Sequence, residues 1–242
     1  MSNVYLVRHG QAGTRDSYDC LSELGNRQVR LLGEHFIAQG LRFAAAYTGG
    51  MSRQRQTSAE IGAAYADAGI SFPAVRVDSG WDEFDLGRLY REFAPLLCVE
   101  DSEFCREYEA MLERVRASAG AHGDRIHRKW QPCDTKVVDA WISGRFPYTG
   151  ETFDHFRDRI AACRLKMCDA QRHENIVVVT SAAPIAIWAG LSLEICDNRI
   201  MRLAGALHNA SYTVVRLQES QLRLFTFNVA PHLAAPGLLT HR

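Results

Sequence analysis

Short, uninterrupted apolar runs alternate with longer stretches of helical spacing along this chain. Val4-Tyr5-Leu6-Val7 is apolar at every position, and so is Ile176-Val177-Val178-Val179. Runs of that length without polar alternation predict strands buried on both faces, as in a parallel sheet covered by helices. Residues 43–47 read as a second such strand and Val75-Arg76-Val77-Asp78 as a short third. Between them the period changes. Ser22 is placed to cap a helix on which Val29, Leu32 and Phe36 recur, and Gln39-Gly40 ends it. A second helix starts near Met51 and carries Arg53, Gln56, Thr57 and Ile61. A third opens at Gly150-Glu151-Thr152, with Phe153, Phe156, Ile160, Cys163 and Met167 on one face, and a fourth follows Thr180-Ser181-Ala182-Ala183-Pro184. Residues 211–216 and 222–227 read as a closing hairpin turning at Glu219-Ser220. Strands alternating with helices predict an α/β fold: a three-layer sandwich with a mostly parallel central sheet flanked by helices.

Residues 88–148 break this alternation. Segments 91–97 and 102–119 have helical spacing, 120–131 reads as a charged loop, and Asp139-Ala140-Trp141-Ile142 is short and apolar. The expected organisation is one domain over residues 1–242 with a mostly helical insertion at about 88–148, a common place for substrate selection. Composition changes this picture little. Lys+Arg and Asp+Glu balance at 28 each, so no global field draws nucleic acid or an anionic membrane, and any anion must be recognised locally. No apolar run approaches the ~20 residues of a membrane span. The start of the chain lacks the basic and long apolar segments of a signal peptide, so a cytoplasmic location is expected. Seven Cys, at 20, 98, 105, 133, 163, 168 and 196, form no CxxC pair and read as free thiols of a reducing compartment. No clustered His/Asp motif suggests a metal site, and no cofactor is expected.

The candidate chemistry gathers where strands end. Arg8-His9-Gly10 closes the first strand. A guanidinium is a rigid fork of donors matched to phosphate oxygens, and a neutral imidazole is a good nucleophile. Gly10 is expected to let the backbone turn sharply and to leave room for a close neighbour. Arg53 lies in the first helical turn after the second strand, from which it can point back over the strand end. The third strand runs into an acidic loop, Ser79-Gly80-Trp81-Asp82-Glu83-Phe84-Asp85. Small residues at 181–183, between a strand end and a helix start, make a ready anion site through free amides and the helix dipole.

At this point the sequence resembles the histidine phosphatase superfamily, the phosphoglycerate mutase-like fold. The Arg-His-Gly signature is Arg8-His9-Gly10, and the following Leu-Thr…Gly…Gln stretch is similar to Leu21-Ser22-Glu23-Leu24-Gly25-Asn26-Arg27-Gln28. Arg53-Gln54-Arg55-Gln56-Thr57 is similar to the second arginine followed by x-x-Gln-Thr, Glu83 and Gly87 to the family acid and the glycine after it, and Gly150-Glu151-Thr152, with Arg157 behind it, to the Gly-Glu-Ser/Thr helix start. Asn209, Asn228 and His232-Leu233 also fit, in the right order. One departure stands out. The family pattern after the fourth strand is Val-Ser-His-Gly-x-x-Ile, whereas this chain reads Val179-Thr180-Ser181-Ala182-Ala183-Pro184-Ile185, so Ser181 stands where the second histidine is expected.

The resemblance implies that His9 attacks a phosphoryl group and becomes phosphohistidine. Arg8, Arg53, Ser181 and Ala182 would hold its oxygens, and Glu83 would protonate the leaving oxygen and then activate water. Asp82 and Asp85 are expected to raise the Glu83 pKa by like-charge repulsion. Gln11 and His208 are further candidates for the pocket, His208 as a compensating imidazole. The expected substrate is a small phosphomonoester, with no nucleic acid or membrane partner and a homodimer left open. A phosphatase of reduced activity heads the readings. A noncatalytic phospho-ligand or protein-interaction module stands beside it, then a phosphoglycerate mutase-type phosphotransferase, with Arg88, Arg91, Arg125, Arg128, Lys129 and Lys136 as basic groups in the insertion, and last a metal-dependent hydrolase.

Overall fold

The computed structural model describes residues 2–13, 19–118, 132–167, 174–219 and 221–241. They form two compact units, one of Met1–Glu83 with Arg157–Arg242 and one of Phe84–Phe156. The first holds a six-stranded sheet: β1 (Ser2–Arg8), β2 (Ala45–Thr48), β3 (Val75–Val77), β4 (Asn175–Thr180), β5 (Tyr212–Gln218) and β6 (Gln221–Val229), in the order β3-β2-β4-β1-β5-β6. The first four strands in that order are parallel. The β5–β6 hairpin is antiparallel within itself, and β5 also runs antiparallel to β1.

The apolar runs fill both faces of this sheet because successive side chains point to opposite sides. Tyr5 pairs with Val177 and Val7 with Val179. These four pack with Val29, Leu32 and Phe36 of α1 (Glu23–Ala38) and Ile61 and Tyr65 of α2 (Ser52–Asp67). Val4, Leu6, Ile176 and Val178 face the other way and are equally buried, on the side of α7 (Ala182–Ser192). There Trp188 packs on Trp81 with ring centroids 4.9 Å apart and donates its indole N–H to the Ile160 carbonyl. Each large apolar side chain so buried contributes roughly 1.5–3 kcal/mol.

Several element boundaries differ from the sequence reading. Ser22 caps α1 through its hydroxyl, which accepts the Gly25 N–H at 3.0 Å. Phe43 precedes β2 and packs in the core. The helix α6 (Phe153–Ala162) stops sooner than its apolar spacing suggests, and Cys163–Met167 continues as 3-10 helix, which keeps Cys163 and Met167 buried. The helix α8 (Asp197–Ala206) was not anticipated. No helix among the described residues is long and apolar enough to cross a membrane.

The second unit is helical: α3 (Leu86–Glu100), α4 (Ser102–Ser118) and α5 (Pro132–Ile142). Asp139-Ala140-Trp141-Ile142 is the last turn of α5, its apolar residues being the buried face of a helix. Asp85 caps α3 by accepting the Arg88 N–H at 2.9 Å. Tyr90 donates to the buried Asp134 at 2.6 Å and stacks on Tyr108. The charged loop expected at 120–131, with His122, Arg125, His127, Arg128 and Lys129, lies outside the described residues, as do Cys168 and His173. Three basic groups expected to matter there are paired: Arg88 with Glu92 at 2.8 Å, Arg91 with Asp85 at 3.8 Å and Lys136 with Asp101 at 2.8 Å.

Candidate active site

Four parallel strands present their carboxyl ends at one sheet edge, and the expected residues lie just past those ends. Arg8 is the last residue of β1 and His9 the next. Ser181 follows β4, whose Thr180 is the register partner of Arg8. Arg53 is the second residue of α2, after β2, and Glu83 follows the 3-10 turn Ser79–Trp81 after β3.

His9 is fixed by its backbone and its ring. Its N–H donates to the Thr180 carbonyl at 2.9 Å, and its carbonyl accepts the Ala210 N–H at 3.1 Å. Ring nitrogen Nδ1 lies 2.8 Å from the Gly10 carbonyl oxygen, and Nε2 lies 3.1 Å from Arg53 Nε. A carbonyl only accepts and a guanidinium only donates, so these partners assign the proton to Nδ1 and leave the Nε2 lone pair facing Arg53. The imidazole is thereby held neutral, with its nucleophilic nitrogen against a guanidinium. The next backbone group is also pinned, since the Gly10 N–H donates to Thr57 Oγ1 at 3.1 Å and Thr57 in turn donates to the Arg53 carbonyl.

Of the two purposes expected of Gly10, a sharp turn and room for a close neighbour, the structure shows the second. The described glycines with left-handed φ are Gly40, Gly69, Gly144 and Gly237, and Gly10 is not among them. A Cβ on Gly10 would lie 2.6 Å from the Gly25 carbonyl oxygen, and one on Gly25 would lie 2.1 Å from the Gln11 carbonyl oxygen. The pair lets the loop after β1 lie directly on the first turn of α1. That contact is the room both positions supply.

Arg53 bridges inward and outward. Its Nη1 donates to Asp19 Oδ1 at 2.9 Å, and Asp19 Oδ2 accepts the Ser52 N–H at 3.0 Å. A half-exposed carboxylate thus occupies the side of the guanidinium away from His9. Arg8 donates to the Leu207 carbonyl. His208, next in the chain, has its pKa lowered by burial, by His241 and by the positive charge of Arg8. Its ring centroid is 5.4 Å from that of His241, and its Nδ1 is buried without a hydrogen-bond partner.

Glu83 reaches the same edge from β3. Its Oε2 accepts the Ala183 N–H, at 3.2 Å, in the first turn of α7. A carboxylate there is favoured by the helix dipole. Ala182 opens that helix, and its N–H is one of the first-turn donors that no helical carbonyl can reach. Asp82 and Asp85, expected to crowd Glu83, each have amide partners of their own. Asp82 Oδ1 accepts the Gly50 N–H at 2.5 Å, and burial raises its carboxyl above the ordinary value against the pull of the Gly50 and Met51 amides and the Arg159 charge. Gln11 turns its Oε1 to the Ser22 hydroxyl at 2.8 Å and gives its N–H to Gln28 Oε1 at 2.9 Å, which ties the loop to α1.

Three contributors escape a reading of the sequence. Asp19 lies in a polar loop with no marker of its role. Arg159, on α6, donates to the carbonyls of Ser79 and Gly80, both at 2.9 Å, and so braces the turn that carries Glu83. Gln54 donates to Ser181 Oγ at 3.0 Å. Among the described residues no group of three or more His, Cys, Asp or Glu side chains is arranged to hold a metal ion.

The family model for the histidine phosphatase superfamily (branch 1) matches residues 4–139 and 117–230. The chain belongs to the histidine phosphatase superfamily. No curated protein sequence matches it. Solved structures of the superfamily's phosphatases share its fold. A mutant phosphoserine phosphatase from Entamoeba histolytica, bound to phosphoserine, is 17% identical, with a TM-score of 0.61, covering 96% of this chain and 100% of that one. A mycobacterial glucosyl-3-phosphoglycerate phosphatase bound to inorganic phosphate is 19% identical, with a TM-score of 0.61, covering 96% and 99%. YhfR of Bacillus stearothermophilus is 17% identical, with a TM-score of 0.62, also covering 96% and 99%. At such identities these likenesses speak for the fold. Within this superfamily member the serine at position 181 sits where the sequence pattern leads one to expect a histidine.

Proposed function

We propose that the protein is a phosphatase that hydrolyses a small phosphomonoester through a phosphohistidine at His9. The observation that carries this reading is the buried His9 imidazole, its Nδ1 proton on the Gly10 carbonyl and its Nε2 lone pair against Arg53. In the reaction His9 Nε2 attacks phosphorus as the bond to the ester oxygen breaks, and Glu83 gives its proton to that leaving oxygen. Arg53 and Arg8 then exchange their resting acceptors for phosphoryl oxygens and spread the charge of a loose transition state. Water next attacks phosphorus, Glu83 takes its proton, and the P–N bond breaks to release inorganic phosphate and free His9. The substrate class follows the phosphatases of like fold, phosphoserine phosphatase and glucosyl-3-phosphoglycerate phosphatase among them.

The mutase reading is weaker, because Arg88, Arg91 and Lys136, three of the basic groups that would hold a second phosphate, are each paired with a carboxylate. One observation favours the second reading, a phospho-ligand-binding module. Ser181 is a shorter and neutral donor, and loss of one preorganised donor costs about 10²–10³ in rate. Hydrolysis of p-nitrophenyl phosphate by the native chain and by His9→Ala separates the two. Turnover abolished in His9→Ala supports the phosphatase. A native chain that binds orthovanadate but shows no turnover supports the module and overturns the enzyme.

A further inference from the structure

Successive residues of α2 serve two neighbouring strand ends. Arg53 reaches His9 beyond β1, and Gln54 reaches Ser181 beyond β4. Gln54 is fully buried, and the orientation of its amide is fixed by what surrounds it. Its Oε1 accepts the Met51 N–H at 3.2 Å. Its Nε2 lies 3.3 Å from the Trp81 carbonyl oxygen and 3.0 Å from Ser181 Oγ. A flipped amide would set NH2 against an N–H and a carbonyl against a carbonyl, so the order of atoms is determined. Gln54 therefore donates to Ser181, and the hydroxyl oxygen must accept. Among the described residues the Ser181 hydroxyl accepts this bond and donates none, so its own proton remains to be given elsewhere. Its backbone neighbour is His9: the His9 N–H donates to the Thr180 carbonyl one residue before Ser181, on a strand paired with β1 and so about 5 Å away.

Gly49 makes this arrangement sterically possible. A Cβ there would lie 2.0 Å from Gln54 Oε1 and 2.7 Å from Asp82 Oδ1. The end of β2 thus leaves space for a glutamine that would otherwise be expelled from the site.

We propose that Gln54 is a positioning residue that fixes Ser181 Oγ as a hydrogen-bond donor to the phosphoryl group held at His9, the two neutral side chains acting together at the strand end where a histidine is expected. The inference rests on the phosphate-binding part of the proposed function and not on turnover. Accepting a bond from Gln54 also polarises the hydroxyl and strengthens the bond it gives.

The test is the affinity of the full chain for orthovanadate, by titration calorimetry, with p-nitrophenyl phosphate turnover measured in parallel. Ser181→Ala weakens vanadate binding by about 10²-fold, as loss of one preorganised donor does. Gln54→Met keeps the volume, removes the amide and weakens binding by about tenfold. In the Ser181→Ala background Gln54→Met costs no more than about twofold further, since a residue acting only through Ser181 has nothing left to position. Gln54→Glu guards against a variant that fails to fold. Its carboxyl donates to Ser181 only when protonated, so the ratio of variant to native affinity rises as pH falls. That ratio cancels the titration of His9, Glu83 and Asp82, which both proteins share. Losses that multiply in the double variant, or a Gln54→Glu ratio flat with pH, overturn the proposal and leave Gln54 as packing. Vanadate binding without native turnover refutes the phosphatase while these ratios still decide the role of Gln54. A native chain that does not bind vanadate refutes both.

Discussion

Replacing Arg53 by lysine tests the central geometry most sharply, because it keeps the charge and removes the fork. Arg53 spans two acceptors at once, Nε on His9 Nε2 at 3.1 Å and Nη1 on Asp19 Oδ1 at 2.9 Å. An ammonium on a flexible stem is a point charge and cannot reproduce both directions. In the reaction the two nitrogens are expected to meet phosphoryl oxygens instead, so Arg53→Lys loses one charge-assisted hydrogen bond in the transition state. Such a bond is worth about 1.5–3 kcal/mol. At about 1.4 kcal/mol per factor of ten, kcat falls by about 10- to 150-fold. The charge persists, so the inhibition constant of inorganic phosphate moves by no more than about threefold. Arg53→Ala removes the charge too, and both quantities then worsen. Steady-state hydrolysis of p-nitrophenyl phosphate with phosphate as product inhibitor measures both, and thermal unfolding checks that the variant is folded. A folded Arg53→Lys chain with kcat within about twofold of native would refute the assignment of this guanidinium to the phosphoryl group.

Glu83→Gln removes the proposed acid and base, and turnover of an alkyl phosphomonoester falls by about 10²–10⁴-fold. The loss is smaller for p-nitrophenyl phosphate, whose leaving group needs little protonation; equal losses on both substrates would remove Glu83 from that role. Asp19→Asn removes an anion that competes for Arg53. The half-exposed pair is worth about 0.5–1 kcal/mol, so phosphate binds about two- to fivefold tighter by calorimetry, and weaker binding contradicts the competition. Gly25→Ala places a Cβ 2.1 Å from the Gln11 carbonyl oxygen and forces α1 off the loop after β1. Overpacking of this kind costs about 1–3 kcal/mol by urea unfolding, and an unchanged midpoint would show that the close approach is not needed. Burial holds the His232 imidazole down from 6.5 to about 4, with the His35 ring 5.6 Å away and also lowered by burial. Folding favours its neutral form, so that share of stability is present above pH 6.5 and is lost as pH falls toward about 4. One such group contributes up to about 1.4 kcal/mol per pH unit. The His232→Gln chain shows a shallower fall of melting temperature with pH across that window, and a slope equal to native would refute the role of this ring.

What a sequence reader can see here depends on whether a residue's role is set by the chain near it or by a partner far along it. The buried strands β1 and β4 announce themselves because four apolar residues in a row have one economical use in an α/β protein, and Arg8, His9 and Ser181 inherit their place from the strand ends. Arg53 is legible for the same reason, in the first turn of the helix after β2. Asp82 and Asp85 have partners that their nearness to Glu83 in sequence does not reveal. The Asp82 carboxylate turns to the Gly50 amide and Asp85 caps α3, each satisfied by backbone donors that only the fold supplies. Gln54 is the clearest case of what stays hidden. It lies beside Arg53 on a helix, and no pattern marks a glutamine as buried. Adjacent helical residues point about 100° apart, so the side chain next to Arg53 cannot serve the same strand end as Arg53 does. It faces the neighbouring strand instead. The polar face of α2 that enters the site is therefore wider than the one arginine, and the order β4-β1 in the sheet is what makes each of its two residues find a different end.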